Sequence, residues 1–144
     1  MVATAKSVVF KLTTSAEKDL SVYVVKISAN FKGHALIDVT TMGAAGHQWA
    51  PDELEDNSFS VDLMWDKAAD GPWDVLKTFS RYGIADGAKA FELGPEGSTS
   101  TYPKITGTCW MEGDLPVEMA IGDMIKITGV NFKCEEDVTF GTYT

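Results

Sequence analysis

The chain alternates apolar and polar residues in short runs, and the runs set the architecture. "SVVFKLT" (7–13) puts Val8, Phe10 and Leu12 on one face and Val9 and Lys11 on the other. "LSVYVVKISANF" (20–31) is rich in β-branched residues and predicts a second strand; "ALIDVTT" (35–41) predicts a third. "SFSVDLMWD" (58–66) has the cleanest period of two. Phe59, Val61, Leu63 and Trp65 face one way; Ser58, Ser60, Asp62 and Met64 face the other. Strands are also predicted over "AKAFEL" (88–93), "KITGTCWMEG" (104–113), "PVEMAI" (116–121) and "DMIKITGVNFK" (123–133), with "VTFGTYT" as one more edge strand. "GPEGSTSTYP" (94–103) is a turn-rich connection.

One segment changes period. "DGPWDVLKTFSRYG" (70–83) predicts a helix, with Asp70 or Gly71 as cap and Pro72 at the first helical position, where no N–H is needed. Asp74 near its start and Arg81 near its end suit the helix dipole, and Gly83 stops it. The expected fold is mainly β: a β-sandwich or barrel of seven to eight strands with one flanking helix, in a single domain over 1–144. Its expected core includes Phe10, Phe59, Val61, Leu63, Trp73, Leu76 and Phe79.

Between the third and fourth strands lies "MGAAGHQWAPDELEDN" (42–57), with no clean period and with Pro51. It predicts a long loop, and long loops in small domains are often functional. Its acids, Asp52, Glu53, Glu55 and Asp56, leave four readings: a metal site, catalytic carboxylates, a solvated turn, or part of a larger charged surface.

Charge narrows these. The chain carries −9, and from Ala35 to Val75 there are nine acids against one base, Lys67. Bases are few and scattered elsewhere, which disfavours nucleic-acid binding by attraction. The acidic loop lacks the alternating ligands, central Gly and final Glu of a calcium loop. No nucleophile elbow, zinc-protease, phosphate-loop or dinucleotide motif occurs. His34 and His47 sit in loop-like contexts, and no cofactor or catalytic residue is expected. Cys109 and Cys134 lack the short paired spacing of a zinc site. They read as buried free thiols; they would pair only if their strands are neighbours, against the bias of a reducing compartment. No apolar run is long enough to span a membrane, and the start "MVATAKSVVFKL" has no signal-peptide pattern, so folding in a cytoplasm is expected.

In order along the chain, "ATAKSVVFKL", "DLSVYV", the long loop, "FSVDLMWD", the Pro-Trp helix, "FELGPEGS", "YPKITGTC" and "FGTYT" together resemble the short tail tube (major tail) proteins of long-tailed bacteriophages. The resemblance implies a virion structural protein, not an enzyme, that is assembled in the host cytoplasm. It implies stacked, hexameric rings whose inner strands join edge to edge around a DNA channel. The stretch 42–57 then becomes an intersubunit arm carrying Trp49, Asp52, Glu53, Glu55 and Asp56. Asp38 and Asp62 become candidates for an acidic lumen wall that lets DNA pass without specific binding. Implied partners are further copies of the chain and other tail proteins: tape measure, tail terminator and distal tail. The alternative class is a monomeric carbohydrate- or ligand-binding sandwich with exposed Trp.

Overall fold

The computed structural model describes residues 7–14, 16–31, 34–40, 42–43, 45–54, 57–77 and 88–144. Among these residues ten strands carry the fold: β1 (Val9–Thr13), β2 (Glu17–Asp19), β3 (Val24–Asn30), β4 (His34–Asp38), β5 (Trp49–Leu54), β6 (Ser58–Met64), β7 (Lys89–Gly94), β8 (Pro103–Glu112), β9 (Val117–Glu118) and β10 (Lys126–Thr142). Eight belong to one antiparallel sheet in the order β2-β1-β7-β8-β10-β6-β3, with β9 paired to β10; β4 and β5 form a separate two-stranded sheet.

The large sheet curls on itself without closing. Phe10 on β1 and Phe91 on β7 meet Phe59 on β6, strands that are not neighbours in the sheet; Phe59 and Phe91 lie 4.8 Å apart between ring centres. Phe59 also stacks on Phe132 of β10 at 4.9 Å. These rings, with Leu12, Leu20, Val61, Leu63, Ile127 and Val130, form the core. The corner is β10. It pairs with β6 through Lys133 and with β8 from Asn131 onward, and its register shifts between Ile127 and Val130 and again between Glu135 and Thr139. Bulges of this kind bend a strand so that it serves both halves. Gly107 on β8 clears the way: a Cβ there would stand 3.1 Å from the Phe91 ring.

The period-two reading of β6 holds at every position: Phe59, Val61 and Leu63 are buried, and the residues between them are half-exposed. Phe10 and Leu76 are buried as expected, but Trp73 is half-exposed, stacked at 4.8 Å on Trp65. Phe79 lies outside the described residues. The helix occupies 72–77 among the described residues, beginning at Pro72 after buried Gly71.

Three expected elements also change. Residues 49–54, expected inside a long loop, form β5, because β4 supplies a ladder partner that periodicity does not reveal. The strand expected over 116–121 shrinks to Val117–Glu118; Met119 and Ile121 project into solvent, and a turn follows at Gly122 with φ +88°. The tail is not a separate edge strand. It continues β10 without a break and pairs with β8 down to Thr142 and Pro103.

Candidate functional site

The β4–β5 hairpin shares no ladder with the main sheet among the described residues, and its turn is built on Asp38. The Asp38 carboxylate accepts the Thr40 backbone N–H at 2.9 Å and the Thr40 hydroxyl, and it lies 3.0 Å from His47 Nδ1. Thr40 Oγ1 in turn accepts the Gln48 N–H at 2.8 Å, closing the two strands across the turn. The Thr40 hydroxyl and then its N–H hold the Asp38 carboxyl below the usual carboxylate range. The His47 ring rests against Trp49, and Trp49 is 58% exposed. Leu36, Val39 and Met42 are exposed as well, so the hairpin presents apolar side chains to solvent. Asp52 and Glu53 lie on β5, while Glu55 and Asp56 fall outside the described residues.

Asp62 sits elsewhere, on the outward face of β6. Its Oδ1 accepts the backbone N–H of Gly129 at 2.7 Å. Directly opposite, on β3, is Lys26; Ser28 faces Ser60 and Asn30 faces Ser58. On the other side, β10 places Lys126 opposite Met64 and Lys133 opposite Ser58, and β8 brings Glu112 opposite Asn131. This face is therefore polar and of mixed charge. Asp38 and Asp62 are not brought into one sheet. The acids were counted along the chain, whereas a wall is read across strands, and register supplies the lysines.

Among the described residues β3 is an edge of the large sheet. Trp65 donates its N–H to Ile125 and Asn57 accepts the N–H of Cys134, so the odd-numbered residues of β6 bond toward β10. The even-numbered ones bond toward β3, to Lys26, Ser28 and Asn30. The N–H and C=O groups of Ile27 and Ala29 thus point outward from the edge. Beside this edge runs an open cleft of about 1200 Å³, with Val25, Ile27 and Phe31 on one side and Pro95, Tyr102 and Ile105 on the other. The free edge is a feature of pairing order and had no signal in the sequence.

No known family model and no curated protein sequence matches the chain. Solved structures do match in shape. A chain from the virion of a native gene transfer agent particle superposes with a TM-score of 0.69 at 10% identity, covering 98% of this chain and 100% of the other. One from the tail of an empty gene transfer agent particle, solved with C6 symmetry, gives 0.67 at 11% identity, with 98% and 100% covered. One from the anti-feeding prophage baseplate, 6-fold symmetrised, gives 0.63 at 11% identity, with 99% and 97% covered. The chain has the fold of subunits found in virion, tail and baseplate particles.

At these identities the likeness is one of fold, and it runs from end to end. Among the described residues no three His, Cys, Asp or Glu side chains converge as a metal site. Of Asp66, Asp70 and Asp74, the first accepts the Ala68 N–H at 2.9 Å, the second pairs with Lys18 at 2.8 Å, and the third accepts the Asp70 N–H at 3.2 Å. Each carboxylate is engaged in local structure.

Proposed function

We propose that this chain is a virion structural subunit, a tail tube protein that polymerises as stacked hexameric rings around a channel for DNA. The observation that carries the reading is the end-to-end match to subunits of virion, tail and baseplate particles, two of them solved with six-fold symmetry. Two features of the chain itself support it. An antiparallel sheet that ends, among the described residues, in a seven-residue strand paired on one side only offers backbone donors and acceptors to a neighbour. A contact between one copy's edge and a different surface of the next copy is heterologous, and such contacts close into rings when the rotation allows.

In this reading the β4–β5 hairpin is the arm that reaches an adjacent subunit. Trp49 is its anchor, since buried aromatic residues dominate interface energetics. Asp52, Glu53, Glu55 and Asp56 flank that contact, and Asp38 shapes the turn rather than the channel. The outward face of β6, with Asp62, remains the candidate lumen wall. Its mixed charge, in a chain of net charge −9, offers a duplex no continuous run of cations to bind. Other tail proteins would cap and fill the tube.

Of the four Trp residues Trp49 alone is mostly exposed, at 58%, while Trp65, Trp73 and Trp110 are half-buried, so the Trp residues do not favour a carbohydrate-binding module. The test is electron microscopy of concentrated protein, alone and with the other tail components, beside a variant lacking Gly43 to Glu53. The parent should form rings or tubes. The variant should stay folded, because β4 and β5 share no ladder with the main sheet, and should fail to polymerise. Normal tubes from the variant would overturn the arm assignment; a parent that never assembles with its components would overturn the reading itself.

A further inference from the structure

The two cysteines, distant in sequence, are partners in space. Cys134 on β10 lies directly opposite Cys109 on β8, and both side chains are buried. The type of pairing follows from one hydrogen bond. Cys134 donates its N–H to Asn57 O at 2.8 Å, on the β6 side of β10. A strand residue directs its N–H and C=O to the same side, so Cys134 makes no ladder bond toward β8. The Cys109–Cys134 pair is therefore of the non-hydrogen-bonded kind, in which Cα atoms approach to about 4.5 Å and side chains come closest. That separation falls inside the range a disulfide spans, about 4.4–6.8 Å, at its short end.

We propose that Cys109 and Cys134 form a reversible disulfide across the β8–β10 ladder, closed by exchange with a small-molecule disulfide such as oxidised glutathione. Cys134 is the entry point. It retains slight exposure where Cys109 has none, and the register shift that begins after Glu135 loosens the ladder beside it. Burial pushes its thiol up to about 11, and burial together with Cys134 pushes Cys109 higher still, so exchange is slow at neutral pH.

The chemistry balances in two steps. Cys134 gives up its proton and attacks one sulfur of the oxidant. The oxidant's S–S bond breaks, and the departing glutathione thiolate takes up a proton. Cys109 Sγ then loses its proton and attacks Cys134 Sγ in the mixed disulfide, expelling the second glutathione, which is protonated in turn. Two protons and two electrons pass from the cysteines to the oxidant. Once closed, the bond is opened by the same exchange run backwards with an excess of thiol. The pair then stays as thiols in a reducing compartment and closes in an oxidising medium.

The test uses the full chain, purified reduced and incubated folded with oxidised glutathione, then alkylated and weighed intact without reductant. A urea-unfolded sample in the same mixture serves as the control for oxidant strength. Both thiols should disappear together, with the loss of two hydrogens and no retained glutathione. Peptide mapping should find residue 109 linked to residue 134, and dithiothreitol should restore both thiols. In Cys109→Ala, which lacks the resolving thiol, Cys134 should keep bound glutathione. Persistence of both thiols in the folded chain while the unfolded control reacts would overturn the proposal. So would a stable glutathione adduct on the parent, or a link between two chains.

Discussion

Asp62 Oδ1 accepts the backbone N–H of Gly129 at 2.7 Å, joining two residues 67 positions apart. Gly129 has φ +70° and lies inside the first register shift of β10, where a ladder N–H would otherwise lose its partner. The carboxylate thus pins the bulge that lets β10 turn the corner of the sheet.

Asp62→Ala should therefore cost about 1–2 kcal/mol, since the bond is to a charged acceptor but partly solvated. Asp62→Asn keeps an acceptor and should cost less. Urea unfolding of the three proteins checks the order; equal midpoints would show that the bulge holds itself. Asp62→Lys removes the acceptor and also sets a second cation opposite Lys26, so the Asn variant is the one that separates charge from support.

The Asp38 turn gives a prediction in pH. Its folded carboxyl titrates below the ordinary value, held there by Thr40. A depressed folded value means the turn's contribution is complete above the unfolded pKa of roughly 3.9 and is lost as pH falls through the folded one. The Thr40 amide resonance should shift only below about pH 4. Thr40→Val removes the hydroxyl donor and should move that midpoint upward. A parent midpoint at or above the ordinary carboxylate value would contradict this account of the turn.

The described helix docks through Leu76, which has no exposed surface, and through Val75 beside it. Leu76→Ala should destabilise by about 2–5 kcal/mol. Trp65 and Trp73, stacked on each other at the helix start, give the fluorescence signal for the unfolding curve. An unchanged midpoint would mean that the helix is not fastened to the core.

Much of this fold was legible because local and global preferences agree. The alternation of β6 reads directly as burial, and Pro72 marks the helix start. Where they disagree, the sequence misleads. β5 contains Pro51, Asp52 and Glu53, all poor strand formers, and is a strand only because β4 lies beside it. β10 runs through Glu135, Glu136 and Asp137, which look like a break; β8 carries the ladder past them. The site was less legible than the fold. Asp38 and Asp62 looked alike as acids near strands, yet one organises a turn and the other a bulge, and only the backbone N–H groups they meet reveal it. The lysines of the β6 face come from β3 and β10, so no window along the chain contains them together.

Ile27 and Ala29 point their backbone groups away from β6, and Lys26, Ser28 and Asn30 point theirs toward it. Proline lacks the N–H, so its effect depends on which side that N–H would serve. At Ala29 no ladder bond within the sheet is lost, the side chain is small and exposed, and edge positions tolerate proline. Ala29→Pro should leave the monomer within roughly 1 kcal/mol of the parent. It deletes one donor from the edge and sets a ring against any incoming strand, so polymerisation should be lost. Ser28→Pro is the opposite case. It removes the donor facing Ser60 and strands that carbonyl, which should cost about 1–3 kcal/mol in the monomer itself. Urea midpoints give the monomer stabilities, and sedimentation with electron microscopy gives the assembly. Tubes of normal length and yield from a folded Ala29→Pro protein would exclude β3 as the strand on which the next subunit builds.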